Sequence, residues 1–124
     1  DKKTGQFPVY GKVGGVVATG NEDGAHDVCS NTLFNLSHLG CTIPPNSDCY
    51  YVGNAGPGPS YIEEGQCHMY TLKTARMMAT NLVFFAKLLQ KTTIPTNLKQ
   101  IYVDAEKASK KCQAKSLKTT RKKK

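Results

Sequence analysis

The chain has 124 residues, 39% of them hydrophobic, and a formal net charge of +8. That length sets a ceiling of one domain, with roughly two thirds of the unfolded surface buried. No apolar run approaches the ~18 residues of a membrane-spanning helix, and the basic charge is confined to one end. From Lys107 onward there are nine basic residues and no acidic one, whereas residues 1–106 carry eight basic against nine acidic. The high pI therefore describes an extension and not a nucleic-acid-binding domain surface.

The N-terminal stretch, "DKKTGQFPVYGK", has no apolar core of a secretory signal, so the expected location is cytoplasmic. The run "KVGGVVAT", 12–19, is β-rich and apolar on both faces, as a strand covered on both sides of a parallel sheet would be. Gly14 and Gly15 weaken it as an isolated strand but suit close approach of a packed helix. From Ala25 to Leu39 apolar residues recur at helical spacing: Ala25, Val28, Cys29, Leu33, Leu36 and Leu39, with Thr32 on the same stripe. Gly40 follows as a C-terminal glycine, and Pro44–Pro45 forbid continuation.

"CYYV", 49–52, predicts a second strand, and "GNAGPGPSY", 53–61, a shaped loop. A long amphipathic helix is predicted from about Cys67 to Gln90, with Leu72, Ala75, Ala79, Leu82, Ala86 and Leu89 on its apolar stripe, Met78 and Phe85 beside them, and "TTIPTN" after it. The segment 98–115 predicts a loose helix, and "SLKTTRKKK" reads as disordered. The organisation expected is thus residues 1–97 as a folded part and 98–124 as a basic extension. Strand, helix, strand, helix implies α/β architecture with a parallel sheet.

Five cysteines with no C-x-x-C spacing argue against a zinc site and a disulfide framework, so five reduced thiols are expected and no metal. Asn35–Ser37 fits a glycosylation sequon, but it falls inside the first predicted helix and is read as chance.

In an open α/β sheet the loops after the strands form the ligand crevice. Both glycine-rich segments follow strands: Thr19, Gly20, Asn21, Glu22, Asp23, Gly24, Ala25 and His26 after the first; Gly53, Asn54, Ala55, Gly56, Pro57, Gly58 and Pro59 after the second. They offer backbone N–H groups and little side-chain bulk, which suits a flat ligand with a hydrogen-bonding edge. The first helix points its free N–H groups and positive dipole end at the same place, favouring a ligand that gains negative charge, as a reduced flavin does. Plainer roles compete: Asp23 capping the helix, Glu22 and Asp27 favouring its first turn, His26 at the surface rather than in catalysis. His38 and His68 have no evident partner in sequence, and Tyr50, Tyr51 and Tyr61 read as packing residues.

The stretches "GKVGGVVATGNEDGAHDV", "LFNLSHLGCTIPPNSDCYYVGNAGPGPSY" and "TARMMATNLVFFAKLL", spanning about Gly11 to Ile94, resemble the flavodoxin-like NAD(P)H-dependent FMN oxidoreductases. The resemblance implies a flavodoxin-like three-layer parallel sheet, of which this chain holds the last two strand–helix units plus the basic tail. It implies FMN as cofactor, NADH or NADPH as co-substrate, and a small-molecule electron acceptor such as a quinone. By it, Thr19 through His26 line the isoalloxazine and Gly53 through Pro59 shape the adjoining rim. The catalytic group stays unknown, with His26 a weak candidate from its place in the first turn of the helix. The chain departs from the pattern in having no phosphate-wrapping loop before Gly11. An unpaired first strand then invites a homo-oligomer or a complementing N-terminal chain. The alternative is a non-enzymatic remnant acting as a protein- or polyanion-binding module, with weak non-specific nucleic-acid contact through the tail.

Overall fold

The structure, a computed structural model, describes residues 1–21, 23–53, 56 and 58–121. It is mixed α/β, with a two-stranded parallel sheet and three α-helices among these residues. The elements are β1 (Val16–Gly20), α1 (Ala25–His38), β2 (Asp48–Val52), α2 (Met69–Lys91) and α3 (Leu98–Arg121), with a 3₁₀ turn at Gly65–Cys67 ahead of α2. The chain divides into two compact units.

The larger unit, Val9–Ile94, contains β1, α1, β2 and α2. The strands pair parallel in register, Val16 opposite Asp48 and Gly20 opposite Val52. β1 begins at Val16, four residues later than the expected Lys12, because the two glycines interrupt the ladder. Before them only a bridge between Val13 and Thr42 remains. The glycines do what close packing requires. A Cβ on Gly14 would meet Leu36 of α1 at 3.3 Å, and one on Gly15 would meet Leu82 of α2 at 3.1 Å. Adjacent residues of an extended chain point to opposite faces, so α1 and α2 cover opposite sides.

Cys29 is the most deeply buried residue of α1, with Thr32, Leu33 and Leu36 half-buried beside it. Val28 and Leu39 of the expected stripe are instead exposed. Burial pushes the Cys29 thiol up from its ordinary pKa, and the nearby Asp48 carboxylate and Cys49 push it the same way. The helix ends at Gly40, whose φ of 101° needs no Cβ. All five cysteines are free thiols, as expected.

α2 turns Ala75, Leu82 and Leu89 of the expected stripe inward, with Met78 and Phe85 beside it, but leaves Leu72, Ala79 and Ala86 exposed. Thr71 is buried and Ala75, Met78, Leu82, Phe85 and Leu89 are half-buried, whereas Leu72 is 40% exposed. The reason is polar anchoring at the start of the helix. The Thr71 hydroxyl bonds to the Tyr50 carbonyl at 3.4 Å, and the Cys49 thiol bonds to the Thr71 carbonyl at 3.5 Å. These bonds turn Thr71 rather than Leu72 toward β2.

The smaller unit joins residues 1–8 to the segment from Pro95 on. The Lys99 amide donates to the Thr4 carbonyl (3.1 Å), and Gln6 Nε2 to the Thr96 carbonyl (2.7 Å). α3 reaches Arg121, past the expected end near residue 115. No helix among the described residues is long and apolar enough to cross a membrane.

Candidate functional site

The C-terminal ends of two parallel, adjacent strands bring their following segments together. Two hydrogen bonds fasten them. The Gly53 amide donates to the Gly20 carbonyl at 3.1 Å, extending the ladder one step beyond β2. Asn21 Nδ2 donates to the Gly58 carbonyl at 3.2 Å. The entry and exit of the second segment also touch, since a Cβ on Gly53 would run into the Pro59 carbonyl.

Thr19 and Gly20 are exposed at the end of β1, and Asn21 is half-buried. Asp23 does not cap α1. Its carboxylate accepts the Gly24 amide at 2.6 Å, and Gly24, at φ 101°, is the N-cap residue with no side-chain cap bond. Ala25 opens α1, with His26 exposed in the first turn. On the second segment, Gly56 has φ 87°, and Gly58 and Pro59 are half-buried. The candidates Glu22, Asn54, Ala55 and Pro57 lie outside the described residues. The expected pairing of the two glycine-rich segments at one edge is therefore realised, but Asn21 commits one of its two amide hydrogens to the protein itself.

The far side of the second segment is fixed by Tyr51 and Tyr61, packing residues as expected, and by Glu63 and His68, whose roles sequence reading passed over. Glu63 accepts the Ser60 amide at 2.6 Å. That hydrogen bond holds its carboxyl below the usual range. Tyr51 is buried and meets Tyr61 edge-on, with ring centroids 5.8 Å apart, and His68 at 5.7 Å. His68 is not an idle surface residue: its Nδ1 accepts the Thr71 amide at 3.4 Å and caps α2. Its place directly before the helix was the available signal, but His is not among the usual capping residues.

An apolar recess of about 160 Å³ lies between β1 and the start of α2, lined by Val17, Thr19, Cys49, Tyr51, Thr71 and Leu72. It is below the ~300 Å³ at which small-molecule sites usually begin, and it marks the side of β1 left uncovered. No group of three or more His, Cys, Asp or Glu among the described residues could hold a metal ion.

No protein-family model matches the chain. A curated relative, the 8-demethyl-8-aminoriboflavin-5'-phosphate synthase of Streptomyces davaonensis, is 48% identical over 96 residues. That match covers 77% of this chain and 37% of the relative, so the chain spans little more than a third of the relative's length. The divalent metal cation transporter MntH of Mycobacterium bovis is 43% identical over 89 residues, 69% of this chain but 13% of that protein. With so small a share matched, its name lends no transport reading. Among solved structures, the crystal structure of RosB with the bound intermediate 8-demethyl-8-formylriboflavin-5'-phosphate matches with a TM-score of 0.79. Its sequence identity is 44%, covering 85% of this chain and 42% of that one.

These matches correct the resemblance to the flavodoxin-like NAD(P)H-dependent FMN oxidoreductases. Identities of 48% and 44% tie the chain to proteins named for making, or holding, an altered riboflavin phosphate. They do not tie it to a reductase that uses bound FMN as cofactor with NADH or NADPH. The electron acceptor falls with that assignment, and so does the alternative of a polyanion-binding remnant. The physical reason is that the residues carrying the resemblance are loop glycines and polar groups suited to a flat ring. Such residues suit a flat ligand whether it is a cofactor or a substrate, so they do not single out a reductase. The structure supports the coarser mixed α/β description and not a flavodoxin-like assignment.

Proposed function

We propose that this chain is part of a flavin-modifying enzyme of the RosB kind, one that acts on the position-8 substituent of a riboflavin 5'-phosphate. The observation that carries the proposal is the 0.79 TM-score at 44% identity to RosB holding an 8-formyl flavin phosphate. The name of the Streptomyces relative points the same way, since its product carries an amino group in place of the 8-methyl. Here the flavin is substrate.

In this reading the crevice between residues 19–26 and 53–59 receives the isoalloxazine. Gly24, with nothing within 4 Å of where a Cβ would lie, leaves the space a flat ring needs. The α1 N-terminus, without a side-chain cap, presents amides to the ring's carbonyl and nitrogen edge. The surrounding architecture fits a wider three-layer parallel sheet, because α1 and α2 cover opposite faces while Val17 on β1 stays 66% exposed.

The test is a flavin-fluorescence titration of the full chain with riboflavin 5'-phosphate and with its 8-formyl derivative. Saturable quenching by both, with no NADH or NADPH consumed, is the expected result. Absence of saturation by either up to about millimolar ligand overturns the proposal.

A further inference from the structure

We infer that Asn21 is a positioning residue, a clasp that assembles the ligand crevice before any ligand arrives. The inference rests on the flavin reading above for the identity of the ligand, but the clasp itself stands on geometry. The second segment is held at both ends by consecutive residues of the first. Gly20 accepts the amide of Gly53 at the entry, and Asn21 donates to the carbonyl of Gly58 at the exit. Entry and exit are already in contact, Gly53 lying against the Pro59 carbonyl where no side chain fits. The backbone bond at Gly20 follows from strand pairing and would survive any side-chain change. The bond at Gly58 depends on one carboxamide, reaching across 37 positions of sequence.

The chemistry required is narrow. The partner is a carbonyl oxygen, so the side chain must donate, and it must be short because Asn21 follows β1 directly. Asp has the same shape but no donor, and would set a carboxylate against the carbonyl. Gln keeps the donor on a stem one methylene longer. One Nδ2 hydrogen is committed to Gly58, and the other hydrogen and Oδ1 remain for a ligand. As a clasp, Asn21 acts on binding through the fraction of molecules in which the crevice is formed, and the apparent affinity falls by that fraction when the clasp is lost.

The experiment measures two things on the full chain and on the Asn21→Asp, Asn21→Ala and Asn21→Gln variants. One is amide hydrogen exchange of the 53–61 segment in the ligand-free protein. The other is the dissociation constant for riboflavin 5'-phosphate. For Asn21→Asp and Asn21→Ala, exchange of the segment should rise about tenfold, as loss of one such bond implies, while α1 and α2 exchange as before. Affinity should weaken by a similar factor, and Asn21→Gln should restore most of both. Weakened affinity with unchanged exchange would make Asn21 a direct ligand contact and overturn the clasp. Faster exchange with unchanged affinity would overturn its part in preparing the site. Unchanged exchange and unchanged affinity together would also overturn it. If the unaltered protein binds no flavin phosphate, the flavin reading fails by itself, and the exchange measurement still decides whether the clasp exists.

Discussion

Gly24 and Gly40 share a backbone φ of 101° but sit at opposite ends of α1 in opposite surroundings. Gly40 is walled in, because the Tyr10 ring occupies the place a Cβ would take. Gly24 has nothing within 4 Å of that place. The same contrast recurs among glycines near the sheet, although Gly53 after β2 is crowded by the Pro59 carbonyl and Gly11 before β1 is open. Before β1, Gly14 and Gly15 are glycines because side chains of both helices press on them. After the strands, Gly24 and Gly56 are glycines at open positions with positive φ. One set serves packing inside the molecule, and the other shapes a loop whose space is left clear. A glycine-rich sequence does not distinguish them, and the comparison is testable one substitution at a time.

The largest effect is expected at Gly40. Gly40→Ala adds backbone strain of about 1–2 kcal/mol for an L residue at positive φ and must displace the Tyr10 ring, about 1–3 kcal/mol more. Urea denaturation should show a loss of about 3 kcal/mol. Gly24→Ala carries the same backbone strain without the steric wall, so a loss of about 1.5 kcal/mol is expected. The difference between the two variants isolates the packing contribution. Equal losses would break the comparison. Gly24→Ala should also weaken riboflavin 5'-phosphate binding by more than Gly40→Ala does, despite its smaller effect on folding.

Gly15→Ala tests the packed set without backbone strain, since its φ is not positive. The added methyl would lie 3.1 Å from both Leu82 Cδ1 and the Ser47 carbonyl. The leucine can shift but the carbonyl is part of the backbone, so the cost should be about 1 kcal/mol, at the low end for overpacking. A neutral or stabilising outcome, read from the same urea transitions, would mean that Gly15 is not limited by space.

Much of the larger unit was legible in sequence. The stripe through Cys29, Thr32, Leu33 and Leu36, the stop at Gly40, and the alternation of elements predict α1, β2 and the parallel pairing, because each rests on local periodicity or turn chemistry. The start of β1 was misjudged, since apolar character continues through the glycines while hydrogen bonding does not. The first turn of α2 was misjudged, because buried Thr71 with a backbone partner outweighed Leu72. Neither the tie between Thr4 and Lys99 nor the bond from Asn21 to Gly58 leaves any trace in a local pattern. That the two glycine-rich segments meet at one edge was legible, because both follow parallel strands. The fate of the proposed ligand was not, because a loop suited to a flat ring is the same whether the ring is kept or changed.

The smallest effect is expected at Glu63, where the open loop is fastened by charge rather than by packing. Its carboxylate accepts the Ser60 amide just after the second glycine-rich segment, and that bond holds its pKa below the ordinary carboxylate value. A lowered folded-state pKa means that the ionised form is favoured by folding. The contribution is therefore present above the ordinary carboxylate range and is lost as pH falls through the lowered value. Glu63→Gln keeps an acceptor but removes the charge, so the variant should have a slightly lower denaturation midpoint near neutral pH. That gap should close as pH falls below the ordinary carboxylate range and through the lowered value, where the native carboxyl too takes up its proton. The side chain is exposed, so added salt should narrow the gap at neutral pH as well. Substitutions at Gly40 and Gly15, which act through contact, should keep their penalties in salt. If the Glu63→Gln gap persisted unchanged at low pH, the Ser60 bond would owe nothing to charge. The open loop would then be held by the same kind of contact as the packed glycines.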